Sequence, residues 1–159
     1  MDKNHDILAE WAVNYIKNKD IIERKIENIE KNSEGYDIFV KRKDKEQYFI
    51  IMPFINDISE IMGKLSPDKS ISLVVFNSHE NFEMIVKNWG KFADLKNFNI
   101  YFVNPFSHLD KKWIVYPYTH AKISDNSSLE RGLRAMFEMV EPITEEQLRT
   151  RPEQKEAGL

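Results

Sequence analysis

No cysteine occurs in the chain, which excludes disulfides, thiolate zinc sites and thiol nucleophiles. Glycine is scarce, at five residues in 159, and none of G-x-x-x-x-G-K-[ST], G-x-G-x-x-G or G-x-S-x-G can be found. A glycine loop for nucleotide phosphates and a serine nucleophile elbow are thereby set aside. No apolar run approaches the roughly 18–20 residues that span a bilayer, and MDKNHDILAEW lacks the basic-then-apolar pattern of a signal peptide. The expectation is a soluble, cytoplasmic protein with no membrane partner. The four histidines, His5, His79, His108 and His120, stand far apart, and none has a second His at metal-ligand spacing. No resident metal or other cofactor is expected from them. The chain also lacks a dominant charge: its formal net charge is -3, so contact with nucleic acid requires a local basic patch.

At 159 residues, 42% of them hydrophobic and 31% charged, the chain has the composition of one globular domain. Apolar residues at Leu8, Trp11, Ala12, Tyr15, Ile16, Ile22, Ile26 and Ile29 keep a three-or-four spacing, which predicts a helix over 6–30. Asp20 followed by Glu23 resembles a capping box at which it could break, but the reading keeps one helix. In YDIFVKR, residues 36–42, the alternation predicts a strand; QYFIIMPF, 47–54, is almost continuously apolar. With KDKE as the turn, the pair reads as an antiparallel hairpin whose second strand is covered on both faces.

A short helix is expected near 56–65, followed by a buried strand ISLVVF at 71–76. Ser78 then caps a helix carrying Phe82, Ile85, Val86, Trp89 and Phe92, and NIYFV at 99–103 is the next strand, parallel to the previous one. WIVYPY, 113–118, reads as an edge strand because Pro117 lacks an N–H to donate. DNSSLERGLRAMFEMV closes the pattern with an amphipathic helix. The predicted class is therefore α/β, one domain over 1–143 with a mixed central sheet flanked by helices in the order α-β-β-α-β-α-β-β-α. Residues 144–159 read as a polar, mobile tail.

The succession of helix, hairpin, helix, strand, helix and strand, with Asp37 at the start of a hairpin strand, resembles the restriction-endonuclease-like superfamily, named for its PD-(D/E)xK motif. The resemblance implies a restriction-endonuclease-like fold in which Asp37 matches the first metal-binding acid. An acid-x-Lys on the next strand would complete a Mg2+ or Mn2+ site, since a hard cation needs several carboxylate oxygens. The second strand instead supplies Ile50, Ile51, Met52 and Pro53, and nothing ionisable lies between Tyr48 and Asp57. Asp37 is thus a vestigial catalytic candidate. The first reading is a non-catalytic nuclease-like binding or assembly domain, and the alternative is a divalent-metal-dependent nuclease with a rearranged site drawing on Glu23 or Glu27.

Three further groups carry candidate functions. Lys41, Arg42, Lys43 and Lys45 cluster at the hairpin tip, with Lys111 and Lys112 before a later strand, as candidate phosphate contacts. Asn77, Ser78 and Asn104 fall at the carboxyl ends of adjacent strands, where a Rossmann-like domain would hold a small molecule. The NSHE turn, 77–80, could present free N–H groups to an anion. The aromatic run WIVYPYTH, 113–120, suits a protein partner or a homodimer contact as well as coverage by the last helix.

Overall fold

The structure is a computed structural model that describes residues 2–123 and 125–152. Its centre is a six-stranded sheet with the order β1-β2-β3-β4-β5-β6. The chain begins with α1 (Lys3–Lys19), capped by Asp2, whose carboxylate accepts the N–H of Asn4. A three-stranded antiparallel meander follows: β1 (Ile26–Ser33), β2 (Tyr36–Arg42) and β3 (Glu46–Ile51). After α2 (Ile58–Met62), β4 (Ser70–Phe76) lies parallel to β3. The segments α3 (His79–Lys87) and α4 (Trp89–Phe92) lead to β5 (Phe98–Val103), parallel to β4; β6 (Lys112–Val115) closes the sheet antiparallel to β5. Three helices complete the described chain: α5 (Pro117–Ile123), α6 (Asn126–Glu138) and α7 (Glu145–Leu148).

The sheet is covered on both faces, which is why β3, β4 and β5 read as nearly unbroken apolar runs. Leu8, Ala12, Val13 and Ile16 of α1 pack on Ile38, Val40, Phe49, Ile51, Val74, Phe76 and Val103. On the other face, Phe82, Ile85 and Phe92 join Leu133, Phe137 and Val140 over Leu73, Val75, Ile100, Phe102 and Val115. Successive residues of β4 divide between the two cores, with Leu73 and Val75 on one side and Val74 and Phe76 on the other. Truncating a fully buried member such as Leu8 to Ala costs ~2–5 kcal/mol from lost transfer energy plus the cavity.

Mixed α/β architecture and flanking helices agree with the sequence reading, but the expected element order needs correction at its start. The helix expected over 6–30 ends at Lys19, and Ile26–Ser33 is a strand. Here β1 opposes β2 with a register shift between Ile26 and Asn28, an extra residue in one strand that characterises a bulge. The bulge turns Ile26 and Ile29, three positions apart, toward the same core under α1. An odd spacing that would split across a regular strand is thus compatible with one face, and it imitates a helical period. Glu34 and Gly35, at φ 54° and 84°, make the two-residue turn into β2, where both central residues need left-handed backbone.

A smaller correction and an added element lie near the end of the chain. The strand expected over 113–118 stops at Val115, and Pro117 opens α5, a position where the missing N–H costs nothing. The segment expected to be a polar tail from 144 begins with α7, whose Thr144 and Gln147 form a reciprocal capping box. Lys3 Nζ donates to the Leu148 carbonyl at 3.3 Å, tying this turn to α1. The remainder of the expected mobile tail, 153–159, lies outside the described residues.

Candidate nucleic-acid interface

A cleft of about 240 Å3 opens between the last turns of α1, the turn that follows it, the β2–β3 hairpin tip and the middle of β5. Its walls carry Lys19, Lys25, Arg42 and Lys45, opposed by Glu23 and Asp44. The lining is therefore net positive in a chain whose net charge is -3. Phe49 and Tyr101 contribute from the sheet and Tyr15 from α1. Tyr15 also lies under two cations, with Lys112 Nζ 5.2 Å and Lys19 Nζ 5.7 Å from its ring centroid. Burial, and after it the neighbouring Tyr15, push the Tyr101 phenol well above its ordinary range.

The cleft is held open by an internal scaffold. Arg42 Nε donates to Gln47 Oε1 at 2.7 Å, while its Nη1 stands 3.7 Å from Asp20 Oδ1. Both side chains of that ion pair are largely buried, which sets it apart from the exposed Lys25–Asp44 contact at 3.9 Å. Asp20 also accepts the backbone N–H of Lys25 at 2.9 Å and of Ile26 at 3.0 Å. Burial raises the Asp20 pKa, but the N–H groups of Ile26 and Lys25 and the charges of Arg42 and Lys43 outweigh it and leave the carboxyl below its usual value. Lys43 N–H donates to the Lys25 carbonyl at 2.9 Å, which fastens the hairpin tip to the turn after α1.

Of the basic residues singled out in the sequence, Arg42 and Lys45 line this cleft and Lys112 reaches its Tyr15 wall. Lys41 is exposed, and strand alternation places it on the face opposite Arg42. Lys43 is exposed at the tip, and Lys111 Nζ donates to the Pro105 carbonyl at 3.3 Å. Sequence reasoning missed Lys19 and Lys25. Assigning 6–30 to one helix hid the reversal that brings them beside the hairpin; Gly35 before a strand pattern was the available signal.

Asp37 occupies the other end of β2. Its Oδ1 lies 2.8 Å from His5 Nε2, and its Oδ2 accepts the Ile51 N–H at 2.7 Å. The β2–β3 ladder ends at the Ile38–Phe49 pair, so the carboxylate supplies the acceptor that Ile51 needs as β3 leaves β2. Glu23 stands at the cleft beside Arg42, five residues of strand away, roughly 16 Å at the usual rise. Glu27 sits in the bulge opposite that same end of β2. The acids expected for a rearranged metal site are therefore not brought to Asp37. Among the described residues, no group of three or more His, Asp or Glu side chains is placed to hold a metal ion.

Asn77, Ser78 and Asn104 do converge at the carboxyl ends of β4 and β5, where the chain's own C-terminal segment covers them. Asn77 Nδ2 donates to the Val140 carbonyl at 2.9 Å, and the Asn77 carbonyl accepts the Ile143 N–H at 2.8 Å. Asn104 Nδ2 donates to the Glu141 carbonyl at 2.9 Å, and its Oδ1 accepts the Phe106 N–H at 3.0 Å. Ser78 Oγ accepts the Asn81 N–H at 3.1 Å as the cap of α3, so the NSHE turn uses its cap internally. A further latch was not foreseen: Asn81 accepts the Ile55 N–H and donates to the carbonyls of Pro53 and Phe76. In the aromatic run, Trp113 is buried and stacks on Phe102 at 4.4 Å, whereas Tyr116 remains exposed. No helix among the described residues is long and apolar enough to cross a membrane.

Comparison with protein-family models, curated proteins and solved structures finds no match for this chain.

Proposed function

We propose that this chain is a non-catalytic binding domain of nuclease-like architecture that contacts nucleic-acid phosphates through the cleft beside the hairpin tip. The observation that carries the reading is the convergence of Lys19, Lys25, Arg42 and Lys45 on one concavity of a net-acidic chain. Cations that neutralise phosphates release condensed counterions, which makes such a surface effective despite an unfavourable net charge. Tyr15, Phe49 and Tyr101 add apolar wall against which a sugar or base can pack.

The non-catalytic part of the reading is supported by the use made of Asp37. One oxygen meets His5 and the other Ile51 N–H, and the neighbouring strand offers Ile50 and Ile51 instead of a second acid and a lysine. The hairpin bearing Asp37, followed by α2 and the parallel strand β4, supports the nuclease-like resemblance, to which β1 is an addition. Contacts with a protein partner or a second copy belong to the same proposal, and the outer edge of β1, unpaired among the described residues, is a surface on which they can form.

The test is a titration of labelled duplex and single-stranded DNA and RNA at two salt concentrations, with Mn2+ in a parallel series. Salt-sensitive binding without cleavage is the expected result. Cleavage abolished by Asp37→Ala would replace this reading with the metal-dependent nuclease, and absence of any binding would remove nucleic acid as the ligand.

A further inference from the structure

Ile21 and Ile22 are adjacent, and they are 57% and 92% exposed. Their turn is fixed in place. Ile21 N–H donates to the Asn18 carbonyl, Arg24 N–H donates to the Asp20 carbonyl, and the Asp20 carboxylate accepts the N–H groups of Lys25 and Ile26. Arg24 adopts φ 51°, a left-handed turn that helps reverse the chain after α1. Two large apolar side chains are thus displayed on a braced turn, whereas the other large apolar residues exposed in the described chain, Leu109, Tyr116, Ile123 and Met139, are not adjacent in sequence. The residues flanking the pair, Lys19, Glu23 and Lys25, line the basic cleft.

The charge around this turn is concentrated. Segments 17–25 and 41–46 together carry eight Lys and Arg against four Asp and Glu, in a chain of net charge -3. A braced apolar finger at the rim of a cationic surface matches the chemistry of proteins that push Ile, Leu or Phe between base steps while lysines hold the flanking phosphates. An anionic bilayer also attracts lysines and isoleucines. Arg42, Lys25 and Lys45, however, line a recess, whose concave shape suits a backbone phosphate better than a planar headgroup surface.

From this placement, we infer that Ile21 and Ile22 form a wedge that unstacks a base step of duplex DNA whose backbone lies in the adjoining cleft. The inference rests on the nucleic-acid reading above and specifies its ligand as a stacked duplex that is opened locally. Single strands, which present no paired step to open, are not the target. The side chains need no rearrangement of the core, because both isoleucines already project into solvent.

The experiment uses the full chain and duplex DNA with 2-aminopurine at successive steps, whose emission rises when the base leaves the stack. The wild type is compared with the double variant Ile21→Thr, Ile22→Thr, which retains β-branching at two exposed positions. The parallel arms are single-stranded DNA and phosphatidylserine-containing vesicles. The expected result is an emission rise with the wild type and its loss in the variant, with the salt dependence of binding and the thermal unfolding curve unchanged. Salt-sensitive duplex binding without an emission rise, or with the same rise in both proteins, overturns the wedge and leaves the cleft reading standing. Binding confined to single strands also overturns it. Isoleucine-dependent attachment to vesicles without DNA unstacking assigns the turn to a lipid surface instead. Failure to bind any nucleic acid removes the wedge together with the reading on which it rests.

Discussion

Asn77 and Trp113 are joined at 2.8 Å, with the indole N–H donating to the side-chain oxygen of an asparagine that has no solvent exposure. The Asn77 amide then donates to the Val140 carbonyl at 2.9 Å, so one side chain couples the edge strand β6 to the end of α6. Replacing Asn77 with Ala strands both partners in an apolar interior. The expected destabilisation is ~2–6 kcal/mol, from ~1–3 kcal/mol for each of the two unsatisfied groups, read as a lower urea midpoint. Asn77→Asp should cost more, because a carboxylate would face carbonyls that need a donor.

Asp37 should behave as a structural acid. Asp37→Ala removes the acceptor for Ile51 N–H and the partner of His5, with an expected loss of ~1–3 kcal/mol in chemical denaturation. Asp37→Asn should cost less, since an amide oxygen can still accept from Ile51 and the side chain still reaches His5. Neither change should alter nucleic-acid affinity measured under conditions where both variants are folded, because Asp37 lies at the opposite end of β2 from Arg42.

The cleft predicts a graded electrostatic response. Lys25→Ala and Lys45→Ala should each weaken binding across sequences and reduce the slope of log K against log salt by ~1 per lost phosphate contact. Lys87→Ala, an exposed change in α3 beneath the other face of the sheet, should leave that slope unchanged. Equal slopes for all three variants would remove the cleft as the binding surface.

Asp20 gives the turn after α1 an acid-sensitive lock. Its folded pKa is below the ordinary value, so the stabilisation it supplies is complete above the unfolded value of ~3.9. That contribution is lost as pH falls below ~4 and through the folded value. Amide exchange at Lys25 and Ile26, corrected for intrinsic rates, should therefore accelerate over that acid window and hold steady above it. Asp20→Asn should remove the pH dependence while retaining an acceptor.

The backbone at Gly35 sets a separate constraint. Its φ of 84° closes the β1–β2 turn, and open space surrounds the position where a Cβ would be placed. Gly35→Ala should therefore cost ~1–2 kcal/mol through left-handed strain alone. A thermal unfolding shift of that size, without loss of the β1–β2 pairing in exchange data, is the expected outcome.

The amino-acid sequence by itself determined the α/β class, the hairpin of β2 and β3, the central strands β4 and β5, and the helix stripes that cover them. Each of these is encoded locally, by a hydrophobic period and by caps such as Ser78. Tertiary structure decided β1, because a bulge against β2 puts Ile26 and Ile29 on one face at a spacing indistinguishable from a helix. It also decided the roles of the polar candidates. Asn77 and Asn104 meet carbonyls from residues more than thirty positions away, and Lys19 and Lys25 reach Arg42 and Lys45 only after the chain reverses at Asp20. Local periodicity records which face a residue must bury, whereas the partner of a buried amide or the neighbour of a surface cation depends on how distant segments are brought together.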